Sequence, residues 1–459
     1  MEERQYLTYL LFTWVAIIVL VTRSQWNKRL PSVGLPLIYL IQVTMMHGFG
    51  AMIYALPWYL PKLVSFKSAH ASLAYTIAGF TQTVYGGIAF AFGSIIIAPL
   101  AWKMFKPTKG WNVPSQPNLK LPKTCILIGF LFSFLIGPIL NKLPSIGVVS
   151  LAGNALIPMG LCLACWKAWC MQNKLVLIGL LMLNILIPLN TVLTSGFLGM
   201  GIVVVMPVLV FVFNFYRPRW QVIILGILTM AFALTVFVNY ARERNEIRAK
   251  VWGGQGIEAR IEQLQKTVSN FEFFNISKQE HLELIDMRLN LNVQVGQGVS
   301  YLSSGNVDFA GTKTLEGAVI AAVPRILWPD KPANGGSGDL VTRYTGVKYA
   351  EGTSVGVGNV LEFYISFGTW GVVLGFLFLG TLLRYIDIVA GKKLISGNWE
   401  GFISWFLPGL NLINPGGSIA EIVGAVLGSI IMLYLLDKFY LQKASRLRPL
   451  RTDSYHYNS

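Results

Sequence analysis

Charge is scarce in this sequence: 13% of its 459 residues are charged and 54% are hydrophobic, whereas a soluble globule carries about 25% charged residues. That shortage excludes a soluble globular domain and points to a polytopic membrane protein. Cysteine is almost as rare. Cys125, Cys162, Cys165 and Cys170 fall in or beside apolar runs, and none lies in the polar stretch 239–355, so no disulfide framework is expected. The Cys162-x2-Cys165-x4-Cys170 spacing reads as small packing residues of a membrane helix, and no metal is assigned to it. Of the four histidines, His47 and His70 fall at expected helix ends, where a hydrogen-bonded structural role is favoured over catalysis. No internal repeat is visible, which counts against a transporter built from related halves. The start lacks a basic n-region and a small-residue cleavage site, so 6–22 reads as a retained helix rather than a removed signal.

What is present is a series of apolar runs, each near the ~20 residues needed to cross hydrocarbon. Spans are expected at 6–22, 33–56, 70–101, 124–141, 145–166, 174–193, 196–214, 219–238, 356–381, 401–414 and 417–436. The fold class expected is therefore an all-α polytopic membrane protein of about eleven transmembrane helices with one large extracytoplasmic loop. Gly86-Gly87 marks the expected bend of the over-long run 70–101. Four regions follow: membrane helices in 1–238, a loop with short helices in 239–355, membrane helices in 356–437, and a basic tail in 438–459. Of the 37 basic residues, 20 fall in segments that become cytoplasmic if the C-terminus is inside. Only Arg4, Lys62, Lys67 and Lys142 fall in the short outer ones. The positive-inside rule then puts the N-terminus outside. The loop 239–355 has 13 basic and 13 acidic residues by count, so the net +16 is a topology signal and nucleic acid is not a partner.

Within the loop, Tyr240–Lys250 has helical composition, with Arg244 and Arg248 one turn apart on one face. Further helices are expected over Ile257–Val268 and from Lys278, where Leu282, Ile285, Leu289 and Val293 form one stripe with Arg288 beside it. Leu315–Ile326 is apolar but too short to span, and is expected to lie on the membrane surface or re-enter it. Pro57, Trp58, Tyr59 and Pro61 read as an interfacial segment. The stretch Ala322–Gly346 concentrates Arg325, Asp330, Lys331, Asp339 and Arg343 among Pro324, Pro329, Pro332 and the run Gly335-Gly336-Ser337-Gly338. Those prolines and glycines predict an irregular segment. Arginines and a lysine on such a backbone suit a phosphate-bearing ligand; the plainer alternative is a solvated loop. Glu362 and Glu421 fall an expected six or seven residues inside the outer ends of spans, where a carboxylate is costly unless paired or in a wet cavity. Either is a candidate base, and the alternative for Glu362 is an ion pair tying a loop arginine to the helix.

The run Pro324-Arg325-Ile326-Leu327-Trp328-Pro329-Asp330-Lys331-Pro332 resembles a motif of the O-antigen polymerase (Wzy-type) family of oligosaccharide repeat-unit polymerases. Thr353-Ser354, Gly358, Glu362, Tyr364, Phe367-Gly368 and Gly371 resemble that family's entry into the next membrane helix, and Arg288 stands where it has an upstream arginine. The resemblance runs from about Arg288 to Gly380. It implies a bacterial plasma-membrane glycosyltransferase that polymerises polyprenyl diphosphate-linked oligosaccharides at the outer face. Lipid, a flippase and a chain-length regulator would be its partners, and no cofactor is implied. A diphosphate leaving group needs positive charge. Arg288, Arg325 and Arg343 are the candidates, with Lys331 as a point charge and Glu362 as base. Trp328, Asp330, Tyr344, Arg248 and Glu421 complete the expected substrate contacts. A lipid-linked glycan ligase and a flippase are the rival functions.

Overall fold

The computed structural model describes residues 2–26, 30–61, 69–105, 117–140, 147–216, 220–323, 328, 330–331, 336–349 and 355–441. Among these, every regular element is helical. Eight helices are long and apolar enough to cross a membrane: α1 (Glu2–Gln25), α2 (Leu35–Ala55), α3 (Ser72–Met104), α5 (Val149–Cys170), α6 (Lys174–Ser195), α7 (Leu198–Tyr216), α14 (Asn359–Ile395) and α16 (Ile419–Tyr440). Between α3 and α5 lies α4, a shorter apolar helix (Leu121–Ile136). The expected span 219–238 forms the first part of α8 (Trp220–Trp252). The expected span 401–414 is α15 (Trp399–Asn411), whose 13 residues rise only about 20 Å. From 239 to 355 the chain finishes α8 and adds α9 (Ile257–Ser269), α10 (Gln279–Leu289), α11 (Asn292–Ser303), α12 (Lys313–Ala322) and α13 (Ser337–Thr345).

The long helix α14 is the centre of the bundle, packing on α3, α11 and α15. Aromatic side chains fill that contact: Tyr39 of α2 stacks on Phe90 at 5.1 Å and meets Phe376 edge-on at 6.1 Å, an arrangement that adds to plain area burial. Far from the loop, Arg384 and Asp387 form a buried ion pair. Asp387 Oδ1 accepts the backbone N–H groups of Val33, Gly34 and Leu35 at 2.9, 2.8 and 3.1 Å, which satisfies the otherwise orphaned start of α2. Arg384 donates to the Leu30 carbonyl at 3.0 Å. A charge pair inside an apolar bundle survives because each member is also hydrogen-bonded to backbone.

Three local expectations are corrected. The helix of 70–101 is unbroken through Gly86-Gly87, where Gly86 lies under Phe376 and Gly87 under the Trp14 ring, so these glycines allow close approach; its irregularity is instead a π turn at Gly93–Ile97. A helix does form within Gly335–Gly346. α13 starts at Ser337 behind Gly336 and ends at Gly346, whose φ of 69° is the left-handed conformation glycine adopts at a helix end. The stripe from Leu282 to Val293 is two helices, interrupted at Asn290 and Leu291.

One break was not expected. Phe367 and Gly368 are non-helical, with Gly368 at φ 63°, ψ −150°, a region open essentially to glycine alone. The break divides α14 into a short segment, 359–366, and a long one. The Ile365 and Ser366 carbonyls accept N–H groups of Ala310 and Gly311 at 2.8 and 3.1 Å, and Thr314 bonds Ser366 Oγ at 2.8 Å. The loop therefore dips to the break, and α12 leaves it packed along α16. Irregular backbone at such depth persists only where protein satisfies it.

Candidate functional site

Five chain segments converge where α2, α11, α14 and α16 meet the loop. The first is a π turn, Thr44–Gly48 in α2, a feature that recurs at functional sites. The Met46 carbonyl accepts the Leu291 N–H at 2.9 Å, and the His47 carbonyl accepts the Asn292 amide at 2.7 Å. That amide also donates to Asn290 Oδ1 at 3.0 Å. Asn292 Oδ1 is thereby left to face His47 Nδ1 at 2.9 Å, so the buried imidazole carries its proton on Nδ1. His47 Nε2 is a buried acceptor without a partner among the described residues. Close approach makes this possible: a Cβ on Gly79 or Gly296 would lie 2.1 Å from a carbonyl of the facing helix.

Two further segments close the ring. Gln294 donates to the Gly356 carbonyl at 2.9 Å. The Gly358 and Asn359 N–H groups donate to Gly416 at 3.2 Å and Pro415 at 2.9 Å, and Tyr39 donates to Asn359 Oδ1 at 2.8 Å. On the other flank Asp286 accepts from Tyr54 at 2.9 Å, Tyr59 at 2.7 Å and Asn290 at 2.7 Å. Burial pushes the Asp286 carboxyl above its ordinary value, against the lowering effect of those donors. The same network draws Tyr59 inward. The segment around Trp58 is consequently braced against the loop, with Trp58 donating to the Ile276 carbonyl at 3.0 Å.

The carboxylates expected six or seven residues inside their helices are in first turns instead. Glu362, 1% exposed, accepts the Ile419 N–H through Oε2 at 2.7 Å. Among the described residues its partner is the start of α16 and no loop arginine, and Oε1 has no hydrogen bond. Glu421 completes a capping box with Ser418 and accepts Ser337 at 2.7 Å. Both carboxylates thus lie at the N-terminal end of α16.

Several expected substrate contacts are occupied by the protein itself. Lys331 donates to the Ala321 and Val323 carbonyls at 3.2 and 2.9 Å, closing the end of α12. Arg248 lies over Phe197 at 4.1 Å and Trp252 at 5.1 Å, locking α8 to the α6–α7 turn. Tyr344 is buried and offers no face to a sugar. Arg343 is exposed, 5.6 Å from the Tyr344 ring centroid. Trp328 and Asp330 are exposed, while Arg325 lies outside the described residues. Arg288 ends α10 at the surface, where partial burial and then the nearby Arg244 guanidinium lower its hold on its proton. Neither arginine has a hydrogen bond or ion pair among the described residues. The neighbouring charges do: Arg242 with Glu272 at 3.1 Å and Lys266 with Glu246 at 3.0 Å. Arg244 and Arg288 thus lie close enough to repel each other, and neither has a carboxylate partner among the described residues.

The junction thus holds a buried carboxylate, Glu362, one of whose oxygens has no hydrogen bond among the described residues, and a buried histidine, His47. The family described as Domain of unknown function (DUF8712) matches residues 64–447. The chain belongs to this family. Its matched region takes in α14, α16 and every loop helix that builds the site. No curated protein and no solved structure matches the chain.

Proposed function

We propose that this family member polymerises polyprenyl diphosphate-linked oligosaccharide repeats into a cell-surface polysaccharide. The reaction would take place at the outer face of a bacterial plasma membrane. In this reading α4, α8 and α15 complete eleven spans, the loop 239–355 is extracytoplasmic, and the C-terminal tail is cytoplasmic, as the distribution of basic residues favours. The observation that carries the catalytic part is Glu362: a buried carboxylate with one oxygen held by the start of α16 and the other without a hydrogen bond among the described residues. That oxygen takes the proton of the acceptor hydroxyl. The hydroxyl oxygen bonds to the anomeric carbon, the bond from that carbon to diphosphate breaks, and polyprenyl diphosphate departs with its added negative charge. Arg288 and Arg244 would receive that charge through their guanidinium donors.

The break in α14 favours transport as a second reading, since broken helices build the sites of many transporters. Against it, the carbonyls that the break frees are already bonded to Ala310 and Gly311. The deciding experiment is the length and sidedness of lipid-linked glycan in cells lacking the protein. Single repeats open to an external glycosidase are expected. Repeats protected until permeabilisation would overturn polymerisation in favour of flipping, and long polymer left on the carrier would indicate a ligase.

A further inference from the structure

Helix α9 is turned the wrong way for a soluble loop. It meets α8 with polar side chains: Gln263 and Thr267 are buried, Gln263 donates to Glu243 and Glu246 at 3.2 and 3.1 Å, and Lys266 pairs with Glu246 at 3.0 Å. Its aliphatic edge faces away from the protein. Ile257, Ile261 and Val268 are 55%, 43% and 69% exposed, and at about 100° per residue they fall within ~40° of one another. Apart from Leu264, which packs into the seam with α6 and α8, α9 gives polar side chains to protein and aliphatic ones outward, an arrangement that wants an apolar surrounding.

The position of α9 identifies that surrounding. Arg260 donates to the Leu193 carbonyl in the last turn of α6 at 3.1 Å, so α9 is fastened at the height where an apolar spanning helix ends. The seam lined by Val192, Leu193, Ile247, Val251 and Leu264 leaves a cavity of only about 10 Å³, so α9 is closely seated there. Helix α6 is a perimeter helix: 17% of its apolar window is buried, and Ile185, Leu186 and Leu189 are exposed along it. Beside the same turn, exposed Trp252 donates to the Ser195 carbonyl at 3.3 Å, the amphipathic placement typical of indoles at a membrane boundary. A second copy is disfavoured as the occupant. A stable interface buries about 800 Å² per partner, and three aliphatic side chains flanked by Glu258, Glu262 and Gln265 fall short of that.

We propose that α9 lies in the membrane interface, with Ile257, Ile261 and Val268 in the acyl boundary of the bilayer around α6. The proposal is independent of the polymerase reading. The test uses the full chain in phosphatidylglycerol and phosphatidylethanolamine vesicles, with nitroxides placed singly at Ile261→Cys, Val268→Cys, Glu262→Cys and Gln265→Cys after the native cysteines are replaced. Collision with oxygen relative to a water-soluble nickel chelate should be several-fold higher at 261 and 268 than at 262 and 265. Equal, water-like values at all four would overturn the proposal. Exclusion of both reagents at 261 and 268 would mean a protein partner and would overturn it equally. The unmodified protein gives a second readout: a lipid-phase carbene reagent should label the 257–269 peptide, and failure to do so while α6 is labelled refutes the placement.

Discussion

Replacing Glu362 separates two roles that one carboxylate can fill. Oε2 holds the Ile419 N–H at 2.7 Å while Oε1 has no partner among the described residues. Glu362→Gln keeps an acceptor oxygen for Ile419 but cannot accept a proton. Loss of a positioned base costs about 10²- to 10⁴-fold in rate, or ~3–5 kcal/mol of barrier at about 1.36 kcal/mol per tenfold. Stability should hardly change, because the glutamine is neutral and still caps α16. Glu362→Ala should lose the same activity and also leave a buried N–H unpaired, at about 1–3 kcal/mol. The assay supplies membranes carrying each variant with lipid-linked single repeats extracted from cells lacking the protein, and reads polymer length on a gel. Thermal unfolding of the purified variants in detergent runs alongside. If the glutamine variant polymerises normally while the alanine variant is inactive and less stable, Glu362 is a helix cap and the base assignment fails.

Three other outcomes are expected. Asp387→Ala strands Arg384 and three backbone N–H groups at the start of α2, so it should cost about 3–5 kcal/mol; an unchanged thermal midpoint would contradict the buried-pair account. Burial raises the Asp286 carboxyl, so the folded chain binds that proton more tightly than the unfolded one. Its contribution to stability is full below the unfolded value of about 3.9 and is lost as pH rises through the folded value. Melting temperatures of Asp286→Asn across that window should lack this decline, and an identical pH profile would refute it. For topology, an impermeant maleimide on intact cells should label Ser304→Cys and spare Ser454→Cys in a cysteine-free variant, the reverse pattern inverting the orientation.

The fold was legible in the sequence wherever hydropathy alone decides it. Eight expected spans have counterpart helices long and apolar enough to cross a membrane, because runs such as 174–193 and 196–214 are apolar over their whole length. Backbone irregularities were less legible, since they depend on partners. Phe367-Gly368 reads as ordinary apolar helix, and only Ala310 and Gly311, brought up by a distant loop, make a break there affordable. The junction itself was missed, because its neutral polar groups drew less weight than its charges. Sequence reasoning weighted Lys331, Arg248 and Glu421 for their charge, yet each satisfies backbone or aromatic neighbours near its own helix ends. The residues that tie the segments together, His47, Asn290, Asn292 and Gln294, include no lysine, arginine, aspartate or glutamate, and His47 stands 245 positions from Asn292. A signal for them was present: His47 interrupts an otherwise apolar span, and Asn290 and Asn292 interrupt an apolar helical stripe. In an apolar bundle a neutral side chain that both donates and accepts can join two backbones at less desolvation cost than a charge. Polar residues that spoil an apolar pattern therefore locate this junction better than the charged residues do.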